Sequence, residues 1–228
     1  MINVKHIVIV GIGGVGSRIA QVICQYLAYQ ESKPVITLID GDNYEPKNAD
    51  RQIFSKLGNK AEVTAELLTE QYPNLTIQSK YRYISEDNAF VYVQEDSIVF
   101  CCVDNHASRK LLSDHCGWLD NAVLISGGND YDDGNVQVYV RVEGKNITPP
   151  ITYQHPEIAE PADKNPAELS CEEIAATSSP QLIFANLKVA SEMLNAFWVV
   201  TQKKKLYSEL YFDLKTGAQR AINRKEMT

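Results

Sequence analysis

The stretch His6-Ile-Val-Ile-Val10, followed at once by Gly11-Ile-Gly-Gly-Val-Gly16, constrains this chain more than any other. An apolar, β-branched run fits a strand buried on both faces. Gly11, Gly13 and Gly16 carry the spacing of a dinucleotide-type fingerprint. Without Cβ atoms, Gly11 and Gly13 allow a tight turn and close approach of a phosphate, while Gly16 lets a helix pack against the strand. Ile19, Val22, Ile23, Tyr26 and Leu27 then recur at helical spacing. The first turn of that helix offers free N–H groups and the positive end of its dipole, so a nucleotide phosphate is expected at Gly13–Gly14. The turn alone does not say which nucleotide.

The pattern continues in alternation. Val35–Asp40 reads as a second strand ending on an acid. Tyr44 to Gly58 reads as a polar loop, and a helix through Ala61, Ala65 and Leu68 runs to Tyr72. Strands follow around Leu75–Lys80, Ser97–Cys102 and Val123–Ser126, the last ending in Gly127-Gly128, with helices near Asn88–Val93 and Ala107–Cys116. Strand and helix in turn predict a parallel sheet with helices on both faces. Beyond about residue 135 the rhythm changes. Val136–Val142 alternates like an antiparallel strand, and Ile147–Pro166 is a proline-rich segment of the length usually found in functional or mobile loops. A long helix is expected from Ser179-Pro180, with serine as cap and proline in the first turn, to about Val200. A hairpin, Leu206–Leu214 and Ala218–Ile222 about a Lys215-Thr-Gly217 turn, closes the chain.

Length and composition fit one α/β domain over residues 1–228, a nucleotide-binding half (1–135) followed by antiparallel strands, a crossover loop at about 147–170, the late helix and the hairpin (136–228). The net charge of -7 gives no reason to expect a nucleic-acid partner. No apolar run is long enough for a bilayer, and the first strand starts almost at Met1, so a cytoplasmic location without membrane contact is expected. Cys24, Cys101, Cys102, Cys116 and Cys171 are odd in number and contain no Cys-x-x-Cys pair, which argues against a disulfide framework and against zinc.

Four further groups fall at strand ends or just beyond them, where open α/β sheets bind ligands: Asp40-Gly-Asp42, Asn48-Ala-Asp-Arg51-Gln52, Gly58-Asn-Lys60-Ala61 and Asp104-Asn105. Taken singly, Arg51 and Lys60 read as well as surface charges, and Asp104 as a helix-entry acid.

Together with the glycine turn these groups resemble the ThiF/MoeB and ubiquitin-activating adenylyltransferases over nearly the whole chain. Arg51-Gln-Ile-Phe54, Asn59-Lys-Ala-Glu-Val63 and Tyr211-Phe-Asp-Leu-Lys-Thr-Gly217 are most similar to the ThiF-like proteins of PRTRC gene clusters. The resemblance implies a Rossmann-like, mostly parallel sheet with antiparallel C-terminal strands, and an enzyme that binds ATP and Mg²⁺. It implies that Gly11, Gly13, Gly14 and Gly16 approach the nucleotide, with Asp40 on the ribose and Asp42 and Gln52 nearby. Asn48, Arg51 and Lys60 would hold the triphosphate, Asp104 would hold Mg²⁺, and Asn105 would sit beside the nucleotide. The implied reaction is attack of a carboxylate, usually that of a small β-grasp protein, on the α-phosphorus of ATP. A homodimer is implied as well.

Departures from the family pattern are informative. Read from Met1, the sequence gives no reason to expect a counterpart of the N-terminal arm whose arginine reaches the partner's ATP in MoeB-like relatives, nor of the zinc-binding cysteine pairs. Cys171 stands before Glu172-Glu-Ile-Ala-Ala176, where a helix N-terminus would favour thiolate and a thioester step. The adjacent Glu172 and Glu173 oppose that, and a plain loop cysteine is the competing reading. Two other functions fit part of the pattern. A nicotinamide-dependent oxidoreductase explains the glycine turn and Asp40 but not Arg51, Lys60 and Asp104. A non-catalytic scaffold half of a heterodimeric activating enzyme leaves the full set of competent side chains unexplained.

Overall fold

The computed structural model describes residues 3–49, 52, 54–153, 155–169 and 182–224. Strand β1 (His6–Val10) lies inside a nine-stranded sheet, at the centre of its parallel part. Around it, β2 (Val35–Ile39), β5 (Ile77–Lys80), β6 (Ser97–Cys101) and β7 (Ala122–Asn129) complete a parallel layer in the order β7-β6-β1-β2-β5. The chain builds outward from β1 to β5 and then returns to the other side of β1, so strand order reverses between β1 and β6. Beyond β7 the sheet turns antiparallel, through β8 (Asp133–Val142), β10 (Glu209–Asp213) and β11 (Gln219–Ile222), with β9 (Lys145–Asn146) on the outer end of β8. This mixed sheet, mostly parallel with antiparallel strands from the C-terminal half, is the α/β class expected from the sequence.

Strand side chains alternate between faces, and the two faces carry two cores. Ile7, Ile9, Ile98, Phe100, Val123, Ile125, Val136 and Val138 face α1 (Gly16–Ala28), α2 (Lys60–Gln71) and α6 (Ile183–Thr201). Val8, Val10, Val99, Cys101, Leu124 and Tyr139 face α3 (Glu86–Tyr92), α4 (His106–Trp118) and the short α5 (Pro156–Ala159). Helix α1 buries Ile19, Ile23 and Leu27 on one stripe, and each such side chain stabilises the fold by about 1.5–3 kcal/mol relative to exposure.

Several boundaries differ from expectation. The Tyr44–Gly58 loop contains a two-stranded ribbon, β3 (Asn43–Tyr44) with β4 (Gly58–Asn59), and a 3₁₀ turn at Pro46–Asn48. Strand β7 does not stop at Gly127-Gly128 but pairs with β8 as far as Asn129. Those glycines are there because neighbours press in: a Cβ on Gly127 would stand 2.3 Å from Met193 Sδ, and one on Gly128 2.6 Å from Arg109 Nη2. The crossover segment is tied down rather than loose. Asp163 accepts from the first amides of α4, His106 at 2.7 Å and Ala107 at 2.8 Å, and Asn165 donates to the Ile84 carbonyl at 3.0 Å. Helix α6 opens at Ile183 with Leu182 at its cap; the Ser179-Pro180 start expected from sequence lies outside the described residues.

Candidate functional site

The glycine turn forms at the C-terminal end of β1, beside the point of strand reversal. Gly11 has φ +86°, and a Cβ there would meet the Cys102 carbonyl at 2.8 Å. A Cβ on Gly16 would sit 1.8 Å from the Gly11 carbonyl oxygen, so glycine is obligatory there. Ser17 Oγ and Arg18 Nη1 donate to the Gly13 and Gly14 carbonyls at 2.6 and 2.7 Å, holding the turn against α1.

Asp40, at the end of β2, is 8% exposed and locks the turn from below. Its carboxylate accepts from the backbone N–H of Ile12 at 2.5 Å and of Asp42 at 2.8 Å. Burial pushes the Asp40 carboxyl up to about 6; Asp42 adds to the rise, while Lys60 and the two amides oppose it. Asn59 caps α2 by accepting from Glu62 N, and its Nδ2 donates to the Asp40 and Asp42 carbonyls at 2.9 and 2.8 Å. That cap sets Lys60, the first residue of α2, beneath the same loop. Lys60 Nζ lies 3.0 Å from Asp42 Oδ2, and the Tyr83 hydroxyl donates to the other oxygen of Asp42.

These groups line one cavity of about 690 Å³, within the size range of small-ligand sites. Gly11, Gly13, Gly14, Asp40, Asp42, Asn48, Gln52, Lys60, Asp104 and Asn105 all contribute to its wall, so the structure brings together ten of the positions singled out in the sequence. Gly16 stands behind the turn. Arg51 and Cys171 lie outside the described residues.

Within the cavity the residues have distinct surroundings. Asn48 Oδ1 accepts from Glu45 N at 2.9 Å. Gln52 is 8% exposed, and its Oε1 is buried with no partner among the described residues. Asn105 caps α4 by accepting from Ser108 N at 2.8 Å. Asp104 is exposed to the cavity, and its carboxylate accepts no hydrogen bond among the described residues. A free carboxylate facing a phosphate-sized turn suits a hard cation that takes its other oxygens from a nucleotide and water. No group of three or more His, Cys, Asp or Glu residues among those described is arranged to hold a metal unaided. Burial raises the thiols of Cys24 and Cys116 to about 12, and those of Cys101 and the half-buried Cys102 also rise, which disfavours thiolate at all four.

Sequence reasoning missed two side chains in this wall. Tyr83 packs its ring where a Cβ on Gly41 would be, at 2.7 Å. Arg109 is 7% exposed, and its Nη2 donates to the Val103 and Gly127 carbonyls, both at 3.0 Å. The signal for Arg109 was present: it stands four residues after Asn105, one turn into the helix that opens at the site.

Known proteins resemble this chain in sequence and in architecture. Two curated relatives are the adenylyltransferase and sulfurtransferase MOCS3 of Drosophila sechellia, 34% identical over 143 residues, and that of Drosophila yakuba, 36% identical over 139 residues. Each match covers 59% of this chain and 29% of the relative, so less than a third of the length of these proteins is matched. Among solved structures, E. coli MccB with MccA superposes with a TM-score of 0.73 at 18% identity, covering 100% of this chain and 66% of MccB. E. coli MccB with ATP gives a TM-score of 0.70 at 19% identity, covering 96% of this chain and 63% of MccB. PaaA gives 0.70 at 15% identity, covering 96% and 72%. At these identities the superpositions speak for the fold. The model of the ThiF family matches residues 1–219, nearly the whole chain, and the protein therefore belongs to the ThiF family.

Proposed function

We propose that this protein is an ATP-dependent adenylyltransferase that activates the terminal carboxylate of a small protein or peptide. The observation that carries this reading is the convergence of the glycine turn, Lys60 and the free carboxylate of Asp104 on one cavity at the strand reversal. Membership of the ThiF family and the MOCS3 relatives support the same reaction class. MccB, solved with ATP and, separately, with MccA, offers a precedent for ATP and for MccA on this fold.

In the proposed reaction a carboxylate oxygen of the substrate attacks the α-phosphorus of ATP. The new P–O bond forms as the bond to the bridging oxygen breaks, and pyrophosphate leaves with that electron pair. Carboxylate and triphosphate repel, so the site must supply positive charge where negative charge gathers. The amides at the start of α1 face the phosphates, and Lys60, Asn48 and Arg51 hold the triphosphate, the arginine as a fork and the lysine as a point charge. Asp40 and Asp42 shape the ribose end. Asp104 would hold Mg²⁺, which would supply positive charge opposite the departing pyrophosphate. The substrate is of the ubiquitin-like, β-grasp kind or a peptide with an equivalent free tail, and the enzyme acts as a homodimer.

ATP–pyrophosphate exchange with Mg²⁺, adding candidate small proteins in turn, tests the reading. Exchange that depends on one such protein and is lost in Arg51→Ala and in Asp104→Ala is expected. Full exchange by Asp104→Ala would sink it, as would ATP binding with no exchange for any carboxylate partner.

A further inference from the structure

Asp104 is held through its backbone rather than through its side chain. It stands in the short link between β6 and α4, and its carboxylate accepts no hydrogen bond among the described residues. A carboxylate that ligates a metal is ordinarily oriented by neighbours that hydrogen-bond to it. Here the backbone on either side is gripped instead. On one side, Arg109 Nη2 donates to the Val103 carbonyl and to the Gly127 carbonyl of β7, both at 3.0 Å, which ties the start of the link to the neighbouring strand. On the other side, the first three amides of α4 are all engaged. Ser108 N donates to Asn105 Oδ1 at 2.8 Å, while His106 N and Ala107 N donate to the two oxygens of Asp163 at 2.7 and 2.8 Å.

Helix formation alone gives little reason for that last contact. Asn105 already caps α4, yet a second acid reaches its first turn from 57 residues along the chain. Asp163 belongs to the crossover segment, which is tied before it by His155 to Glu209 at 3.0 Å and after it by Asn165 to the Ile84 carbonyl at 3.0 Å. The next residue, Pro166, lines the nucleotide cavity. The acid that orders the Asp104 link is thus carried by a segment that borders the same cavity. A loose link would have to be ordered when an ion binds, at a cost in conformational entropy; a clamped link has met that cost on folding.

We infer that Asp163 is a positioning residue for the metal carboxylate. Together with Arg109 it fixes the backbone about Asp104 and leaves both oxygens of Asp104 free for Mg²⁺, so that metal binding depends on the crossover segment being seated. The inference rests on the adenylyltransferase reading, which it deepens.

The test compares the affinity of the full chain for a fluorescent ATP analogue in Mg²⁺ and in EDTA, measured by anisotropy. The ratio of the two dissociation constants is the gain due to the metal, and it needs no turnover. In the unmutated protein Mg²⁺ is expected to tighten binding, and Asp104→Asn to remove that gain. Asp163→Ala is expected to weaken Mg²⁺-dependent binding about tenfold, the lower end for loss of an outer partner of a metal ligand, with the affinity in EDTA unchanged. Asp163 is exposed, so the fold is expected to survive the change. Asp163→Asn, which keeps one acceptor oxygen, is expected to restore part of the gain. In the Asp104→Asn background, removing Asp163 is expected to change nothing further. An undiminished gain in Asp163→Ala, an equal loss with and without Mg²⁺, or a further loss in the Asp104→Asn background would each overturn the inference. If Mg²⁺ does not tighten binding by the unmutated protein, the metal role of Asp104 falls and the inference with it. Absence of pyrophosphate exchange beside an intact Mg²⁺ gain counts against the adenylyltransferase reading alone, so the two failures are distinct.

Discussion

Lys60 Nζ sits 3.0 Å from Asp42 Oδ2, so the ammonium beside the glycine turn is paired with a carboxylate in the same cavity wall. Lys60 is largely buried, while Asp42 is partly open to solvent. An incoming phosphate must compete with Asp42 for that charge, and the pair holds the lysine in place for the exchange of partners. Lys60→Ala is expected to lower pyrophosphate exchange by about a hundred- to thousandfold, the scale for removing one preorganised charge from a transition state. Steady-state exchange rates at saturating ATP check this.

Gly16 and Gly13 separate shape from chemistry in the turn. Gly16→Ala drives a methyl to 1.8 Å from the Gly11 carbonyl oxygen, so a loss of about 2–4 kcal/mol and of nucleotide binding is expected. Gly13→Ala meets nothing closer than Gln52 Nε2 at 3.7 Å, and its stability is expected to stay near that of the parent. Urea unfolding curves of the two variants, with nucleotide binding alongside, provide the comparison.

Asp40 makes the stability of the protein sensitive to pH. Burial raises its carboxyl from 3.8 to about 6, so its contribution to stability is fully present below about pH 4 and is lost as pH rises through about 6. The whole effect is about 3 kcal/mol on the linkage scale. Asp40→Asn cannot ionise, so the difference in unfolding free energy between parent and variant is expected to change across that window and to be flat above it. Denaturant unfolding at several pH values measures it.

His155 has the opposite surroundings. Its ring nitrogens lie 3.0 Å from Glu209 Oε1 and 3.0 Å from Glu157 Oε1, while Arg224 Nε and the Tyr211 hydroxyl reach the other oxygen of Glu209 at 3.0 and 3.2 Å. The hydrogen bond to Glu209 raises the His155 pKa above 6.5 against the effect of burial. Burial works to raise Glu209, but its bonds from His155 and Arg224 outweigh that and hold it below 4.5. The imidazolium's contribution is thus full below about pH 6.5 and lost as pH rises through the raised value. That of Glu209 is present above about 4.5 and lost as pH falls through the depressed one. Glu209→Ala is expected to cost about 3 kcal/mol near neutral pH, because it strands His155 and Arg224. It is also expected to speed proteolysis of residues 156–169. Melting curves across pH, with His155→Leu for comparison, check the sign.

The sequence was most informative where periodicity and glycine act locally. Ile7, Val8, Ile9 and Val10 are buried on alternating faces as the β-branched run implies, and Gly11 and Gly16 stand where backbone meets backbone. It was least informative where one residue answers to another far along the chain. Gly127 and Gly128 looked like a strand end because glycine usually interrupts strands, yet here they make room for Met193 and Arg109 inside a continuous ladder. Asp40 looked like a ribose ligand alone, whereas its two oxygens also grip the amides of Ile12 and Asp42. The opposition of Asp133 and Asp213 depends on a register across about eighty residues of chain, which neither local pattern contains.

The passage of β7 through Gly127-Gly128 into register with β8 has a mechanical consequence. The strand that borders the nucleotide cavity is the same strand that anchors the antiparallel strands, with no hinge between them. Neither half can therefore fray without breaking the other's hydrogen bonds, and amide exchange from Ala122 to Asn129 should report a single cooperative opening.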